Sequence, residues 1–308
     1  MKIAVLGANG AVGSRIVTRL RDRGHVVTRV GRNSAANDVV VDLGLADGTG
    51  YGAAVAGMDM VINASGLEDP QLARHAGGAR FVDISATASY LETITGSPGS
   101  GGVLAFVGLA PGLTTLMATE LPAESGDHID VALTLGEGEK HGRAAVEWTV
   151  GLLGKKFSDG TSGELIGNLT RPRTLQGPPG SRKRFVRADF PDHIAAGGDG
   201  RRVENYLALS SAAATWSLRW ANLLPALGGP MLRRVHLPGT DEWSVLVRNR
   251  MTGRWAYTSG RNQSEATATM TVAAVEAAEN RIDPVLFTTD VLESHALTHW
   301  DIHIRTGR

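Results

Sequence analysis

Lys2-Ile3-Ala4-Val5-Leu6-Gly7-Ala8-Asn9-Gly10-Ala11-Val12-Gly13 carries an apolar, β-branched run straight into three glycines at G-x-x-G-x-x-G spacing. Lys2–Leu6 predicts a strand. Ala11–Arg23 predicts a helix, because Val12, Ile16, Val17 and Leu20 recur on one face and Gly24 supplies a stop. Gly7 suits the tight turn, Gly10 the close approach of backbone N–H groups to a pyrophosphate, and Gly13 the packing of helix on strand. The helix N-terminus adds partial positive charge for an anion. Gly7, Ala8, Asn9, Gly10, Ala11 and Val12 are therefore read as a dinucleotide cradle. An ordinary glycine-rich turn is the competing reading.

Outward from this unit, short apolar runs alternate with helical patterns. Strands are predicted over His25–Val30, Asp38–Asp42, Met58–Asn63, Arg80–Ser85 and Val103–Val107, with a helix over Pro70–His75. Continuous β-branched runs of this length belong to parallel strands covered on both faces. The texture changes after Pro111-Gly112. Leu113–Leu121 and Val146–Leu153 read as helices and Ile129–Leu135 as an alternating strand. Loops dominate Ser158–Gly200. Val203–Leu224 reads as a long, mainly helical apolar segment, Trp243–Asn249 and Arg254–Ser259 as strands, and Ala266–Ala278 as a helix. The prediction is an α/β chain in two domains. Residues 1–120 form a nucleotide-binding domain on a parallel sheet, to which helix 265–280 returns. Residues 121–264 form an α+β domain with a mixed or antiparallel sheet, for substrate and dimerisation.

The bulk numbers narrow the function classes. The 308 residues hold 31 Lys+Arg against 31 Asp+Glu, so no global charge draws the protein to nucleic acid or an anionic membrane. Zero cysteines exclude disulfides, thiolate metal sites and a cysteine nucleophile, which suits a reducing cytoplasm. Met1–Gly7 runs directly into a strand, so no signal peptide is expected. The longest apolar candidate, Ala212 to Met231, is broken by Arg219, Asn222 and Pro225, so no membrane span is expected either.

The second strand ends in Gly31-Arg32-Asn33. An NAD site places an acid here for the ribose 2′-hydroxyl; a guanidinium fork suits a 2′-phosphate instead. The cofactor predicted is NADP(H), with a solvated turn arginine as the alternative. Asp42 is read either as an adenine contact or as an exposed turn acid. Asn63-Ala64-Ser65-Gly66 ends the fourth strand with small residues that let a cofactor lie over the strand ends. A nicotinamide site implies hydride transfer. Four residues beyond Tyr51, Tyr90, Tyr206 and Tyr257 stand Val55, Ile94, Ser210 and Arg261, so a Tyr-x-x-x-Lys pair is absent. No metal site is predicted, although His295, His299 and His303 would share a face if their segment were helical.

Val5–Gly13, Gly31-Arg32-Asn33, Val61–Gly66, Phe81-Val82-Asp83-Ile84-Ser85-Ala86 and Gly108-Leu109-Ala110-Pro111-Gly112-Leu113 together resemble the saccharopine dehydrogenase-like (saccharopine reductase) family over roughly residues 1–120. Residues 121–265 carry no match. The resemblance implies a Rossmann domain, a mixed-sheet substrate domain and NADPH-dependent reduction, often of an imine formed from an amine and a carbonyl compound. Some relatives reduce enoyl groups. The family's acid after Ser-Gly is missing, since Ala86-Thr87 follow Ser85, and the chain is shorter than typical saccharopine reductases.

Asp83, Ser85 and Thr87 follow the fifth strand on the side expected to hold nicotinamide and are candidates for substrate or nicotinamide contact, with Asp83 a candidate catalytic residue. Ala110, Pro111 and Gly112 are expected to line the same cleft through backbone atoms. His141, ahead of Glu147 and Trp148, is a candidate acid and Tyr206 a candidate phenol donor; a solvated loop and core packing are their respective alternatives. Lys183-Arg184, Arg187 and Arg201-Arg202 are candidates for a substrate carboxylate or a solvated face. Trp216 and Trp220 share a helical face and are read as core or a dimer seam. The function predicted is an NADP(H)-dependent cytoplasmic, homodimeric oxidoreductase reducing C=N in a small biosynthetic metabolite. A non-catalytic NADP(H) sensor and an enoyl or carbonyl reductase are its rivals.

Overall fold

A computed structural model describes residues 1–44, 49–136, 138, 143–158, 163–178, 182–224, 228–229 and 239–308. The chain divides into two compact units, Met1–Leu113 with Ser264–Glu293 and Thr114–Gln263 with Ser294–Arg308.

The first unit carries strands β1 (Lys2–Leu6), β2 (Val26–Gly31), β3 (Val39–Val40), β4 (Met60–Asn63), β5 (Arg80–Asp83) and β6 (Val103–Ala105). Their sheet has the order β15-β6-β5-β4-β1-β2-β3, where β15 is the late strand Val285–Phe287, and every pairing in it is parallel. Ile3, Ala4, Val5, Leu6, Val61 and Ile62 have no exposed surface. That double-sided burial explains why these runs read as continuous rather than alternating. Helix α1 (Gly13–Asp22) lays Ile16, Val17 and Leu20 on the sheet. The short helices α2 (Thr49–Ala54), α3 (Pro70–Arg74) and α4 (Ala88–Gly96) link the remaining strands.

The second unit begins with α5 (Leu113–Glu120) and is built on β7 (His128–Leu135), a pair β8 (Lys156–Ser158) and β9 (Leu165–Gly167), then β10 (Thr170–Gln176), β11 (Arg182–Arg187), β12 (Arg202–Leu209), β13 (Glu242–Asn249) and β14 (Trp255–Arg261). With β16 (Arg305–Gly307) seven of these make one sheet, ordered β10-β11-β12-β7-β13-β14-β16. It is mixed, since β12 and β7 run parallel and the other pairs antiparallel. Its helices are α6 (Arg143–Leu152), α7 (Asp192–Ala196) and α8 (Ala212–Leu223). The protein is thus an α/β chain pairing a parallel Rossmann sheet with a mixed one.

Helix α9 (Gln263–Ala277) contributes Ser264 onward to the first unit, followed by β15 and α10 (Thr288–Val291). Two acids eleven positions apart tie α9 to α1 and its exit. Glu265 takes Arg15 and Arg19, and Glu276 takes Arg23 at 2.5 Å and His25 at 3.1 Å. Arg80, buried in β5, donates to the carbonyls of Arg281 at 2.8 Å and Asp283 at 3.0 Å, fixing the chain that enters β15.

Two expectations needed correction, and two readings left open were narrowed. Val203–Leu224 is a strand, β12, followed by helix α8. In β12 the consecutive residues Asn205, Tyr206, Leu207 and Ala208 are all buried, so both faces are covered there and the two-residue alternation of a half-exposed strand is lost. The described residues of 158–200 are not mainly loop; they hold β9, β10, β11 and α7, whose arginines hid the strand signal. Trp216 and Trp220 are not core, being 43% and 64% exposed. His295 and His299 fall in a 3-10 helix (Ser294–Trp300) and His303 lies beyond it, so the three share no α-helical face. Among the described residues no helix is long and apolar enough to cross a membrane.

Candidate functional site: the strand ends of the parallel sheet

The glycine loop is shaped by steric necessity. Gly7 has φ +71°, and a Cβ there would lie 2.5 Å from the Ser65 Cα and 2.6 Å from the Ala64 carbonyl oxygen. A Cβ on Gly13 would sit 2.9 Å from the Gly7 carbonyl carbon and 3.1 Å from the Ala8 Cα. Only glycine at both positions lets β1, α1 and the end of β4 converge. Gly10 is different: it is exposed, and its nearest neighbour to a Cβ is the Gly7 oxygen at 3.2 Å. Helix α1 has no side-chain cap and no acid in its first turn. Gly10 N–H donates to the Gly7 carbonyl at 2.9 Å and Ser14 N–H to the Gly10 carbonyl at 3.1 Å, so what the helix start offers an anion is chiefly the positive end of the dipole. An anion laid against Gly10, Ala11 and Val12 would meet it. The cradle fits the pyrophosphate of a dinucleotide.

A chain of asparagines links this loop to the end of β2. Asn9 Nδ2 donates to Asn37 Oδ1 at 2.9 Å, and Asn37 Nδ2 donates to the Asn33 carbonyl at 2.9 Å. Asn33 Oδ1 accepts from the Ala35 N–H at 3.0 Å, so its carboxamide shapes the turn. Asn37 had no sequence signal beyond its composition. Arg32 is exposed beside this chain, and Gly31 packs against Asn37. Nearby, the Arg29 guanidinium and backbone N–H bond Asp38 and hold its carboxyl at about 2. Asp42 is exposed, and its Oδ1 accepts from the Gly44 N–H at 3.1 Å.

The ends of β4 and β5 are joined by a buried polar knot. Asn63 Nδ2 donates to Asp83 Oδ2 at 2.8 Å and to the Leu67 carbonyl at 3.0 Å. Asn63 Oδ1 accepts from the Ser65 hydroxyl at 2.6 Å and the Ser65 N–H at 3.2 Å. The carboxamide therefore has its full complement of four bonds. Asp83, with no exposed surface, also accepts from the Tyr90 hydroxyl at 2.8 Å and the Ser85 N–H at 2.7 Å. Burial pushes the Asp83 carboxyl upward, against the pull of Ser85, Asn63 and Tyr90. Burial and the Asp83 charge push the Tyr90 phenol up as well. These residues hold the loops Ala64–Gly66 and Ile84–Ser85 in place. Tyr90 escaped the sequence reading, although it stands one helical start beyond Asp83.

The crossover after β6 is closely folded. Gly108 N–H donates to the Pro111 carbonyl at 2.9 Å, and Leu113 N–H to the Gly108 carbonyl at 3.0 Å. The Ala110–Pro111 peptide is cis, and Gly112 has φ +138° with no room for a Cβ. Ala110 is half-buried, while Pro111 and Gly112 are buried. Tyr206 belongs to the second unit. It is buried, donates to Glu204 at 2.6 Å and accepts from Arg250 at 3.0 Å. Burial and Glu204 push its phenol up, so it stays protonated. His141 lies outside the described residues.

The comparisons agree with this geometry. Residues 3–90, which span the glycine loop and the ends of β2, β4 and β5, match the NAD dependent epimerase/dehydratase family. Apo saccharopine dehydrogenase (L-Glu forming) from Saccharomyces cerevisiae superposes over 100% of both chains, with a TM-score of 0.60 and 11% identity. The chain has the saccharopine dehydrogenase fold. A putative NADH-flavin reductase from Streptococcus pneumoniae is 28% identical over 29% of this chain and 49% of its own, with a TM-score of 0.22. A short-chain dehydrogenase/reductase superfamily protein from Agrobacterium tumefaciens with bound NAD is 18% identical over 39% of this chain and 53% of its own, with a TM-score of 0.28. No curated protein matches the sequence. The first unit therefore has a Rossmann-type fold, and its residues 3–90 are similar to the NAD dependent epimerase/dehydratase family.

Proposed function

We propose that the protein is an NADP(H)-dependent oxidoreductase that reduces the C=N bond of a small, amino-acid-derived metabolite. The observation that carries this reading is the pairing of an uncapped α1 behind the Gly7–Gly13 cradle with an exposed Arg32, and not an acid, at the end of β2. Gly7 through Val12 would hold the pyrophosphate, Arg32 the 2′-phosphate, and Gly31, Asn33 and Asp42 the adenosine end. Ala64, Ser65, Gly66, Ser85 and Ala110 would face the nicotinamide end. When bound, the cofactor supplies hydride; the protein supplies position and electrostatics. Asp83 and Asn63 act as positioning residues, because every polar atom of the Asn63 carboxamide and both Asp83 oxygens are engaged within the fold.

Imine reduction is supported by the whole-chain likeness to saccharopine dehydrogenase and by the chemistry of these residues. An iminium is already electrophilic, so hydride delivery to carbon needs no dedicated acid. The absence of a Tyr-x-x-x-Lys pair accords with that. The first unit is the cofactor domain and the second the substrate and dimer domain, with Trp216, Trp220 and Leu223 on the exposed side of α8 as the homodimer surface.

Three experiments test the reading. Arg32→Glu should lower the preference for NADPH over NADH by about tenfold or more, the scale of one lost charge-assisted contact; an unchanged preference refutes the 2′-phosphate assignment. Paired amines and 2-oxo acids should oxidise NADPH. Turnover confined to enoyl or carbonyl compounds would favour those reductases, and tight binding without any turnover would favour a sensor. Trp220→Glu should leave a monomer by light scattering.

A further inference from the structure

The second unit contains a cavity of about 260 Å³ in which four arginines meet a single lining carboxylate. We infer that this cavity is a binding site for a small carboxylate, held by Arg171 and Arg173 against a floor set by Arg187, Arg250, Glu204 and Tyr206.

The floor is rigid. Arg250 follows β13 and reaches back to bond Asp130 at 2.9 Å through Nε, together with Glu204 and the Tyr206 hydroxyl. Arg187, on β11, is 6% exposed at its side chain. Its guanidinium lies 5.5 Å from the Phe157 ring and 5.4 Å from the Tyr206 ring, and donates to the Asn205 carbonyl at 3.2 Å. Stacking of this kind fixes the plane of the fork.

The rim is aimed by a break in the sheet. The β10–β11 register shifts between Thr170 and Arg173, Pro172 cannot donate to the ladder, and Arg171 has φ +48°. Irregularities of this type re-aim side chains and concentrate beside functional sites. Arg171 pairs with Glu164. Arg173 reaches the buried Asp130 only at 3.5 Å from its Nε, and that Oδ2 forms no hydrogen bond. Arg173 is thus a counter-charge to Asp130 without being locked onto it, and its fork remains 39% exposed.

Charge and shape name the ligand class. Four guanidiniums line the cavity beside one carboxylate, that of Glu204, so its lining is predominantly cationic. The planar forks match a carboxylate bidentately. Ile166 and Pro172 supply apolar wall, which suits a carbon skeleton rather than bare phosphate. At roughly 30 Å³ per water the cavity holds about eight waters, the room of a small metabolite.

Calorimetric titration of the full chain without NADPH, using succinate, its diamide succinamide and inorganic phosphate, tests the site independently of the cofactor reading. Succinate should bind saturably, phosphate more weakly and succinamide not at all. Arg173→Gln, which removes the counter-charge of the buried Asp130, should lower the melting temperature yet stay folded by circular dichroism, and should weaken succinate about tenfold or more. Arg305→Gln, on β16 of the same sheet, should change nothing. Failure of succinate to saturate the wild type overturns the proposal. So does equal affinity in R173Q or binding of succinamide as tight as succinate. Phosphate binding tighter than succinate overturns the carboxylate assignment.

Discussion

Substituting the glycines of the first loop one at a time separates what the fold needs from what a cofactor needs. In Gly13→Ala the new Cβ would lie 2.9 Å from the Gly7 carbonyl carbon. Optimal carbon contacts lie at about 3.5–4.0 Å, so α1 must retreat from β1 by roughly 0.6 Å or more. The atoms met are backbone, so no side chain can rotate away. Ile16, Val17 and Leu20, which hold α1 to the sheet, lose contact as it moves. Overpacking of this kind costs roughly 1–3 kcal/mol, and alanine's better helix propensity returns at most about 1. The net expectation is a loss of about 1–2 kcal/mol, with weaker NADPH binding because the α1 N–H groups move too. Gly10→Ala makes the contrast. Its Cβ meets only the Gly7 oxygen at 3.2 Å, so stability should change by less than about 0.5 kcal/mol while NADPH affinity still falls. Denaturant unfolding followed by fluorescence reads the first quantity and NADPH titration the second. Gly13→Ala as stable as wild type, or Gly10→Ala as damaged as Gly13→Ala, would refute the steric account.

Arg80→Met should cost roughly 2–4 kcal/mol in the same assay, because the Arg281 and Asp283 carbonyls lose a charged donor in a buried setting. Asn63→Leu should cost a similar roughly 2–4 kcal/mol and weaken NADPH binding, since Ser65 and Asp83 both lose their partner; retention of both properties would remove Asn63 from the positioning role. The second unit should be acid-sensitive through Glu204. Burial pushes its carboxyl up, but bonds from Arg250 and Tyr206 and the charge of Arg187 outweigh this and hold it at about 2. A lowered folded value means stability present above the ordinary value of 4.5 and lost as pH falls toward 2. Across that window the wild type should lose roughly 3 kcal/mol more than Glu204→Gln, measured by unfolding at each pH; equal losses would refute the Glu204 share.

The local code was enough for the parallel half. β1, α1, β4 and β5 are legible because strands covered on both faces must be apolar throughout, and because the close backbone approach at this strand-to-helix turn demands glycine at Gly7 and Gly13. The sequence therefore determined by itself a doubly covered parallel sheet, a glycine-shaped strand-to-helix turn and the arginine that follows β2. It also marked Asn63, Ser65, Asp83 and Ser85 as residues at one sheet edge. It did not disclose that Asn63, Asp83 and Tyr90 saturate one another, since hydrogen-bond partners twenty residues apart leave no periodic trace. The mixed sheet was legible only in pieces. β12 lost its alternation where both its faces are covered, and β10 and β11 were masked by arginines whose charges read as loop. Those same arginines, with Glu204, Tyr206 and Arg250, meet only when β9 to β13 come together. Periodicity records which face of a segment is buried; it carries no record of which distant segment does the burying. That choice, and with it the arginine cavity, belongs to the tertiary structure alone.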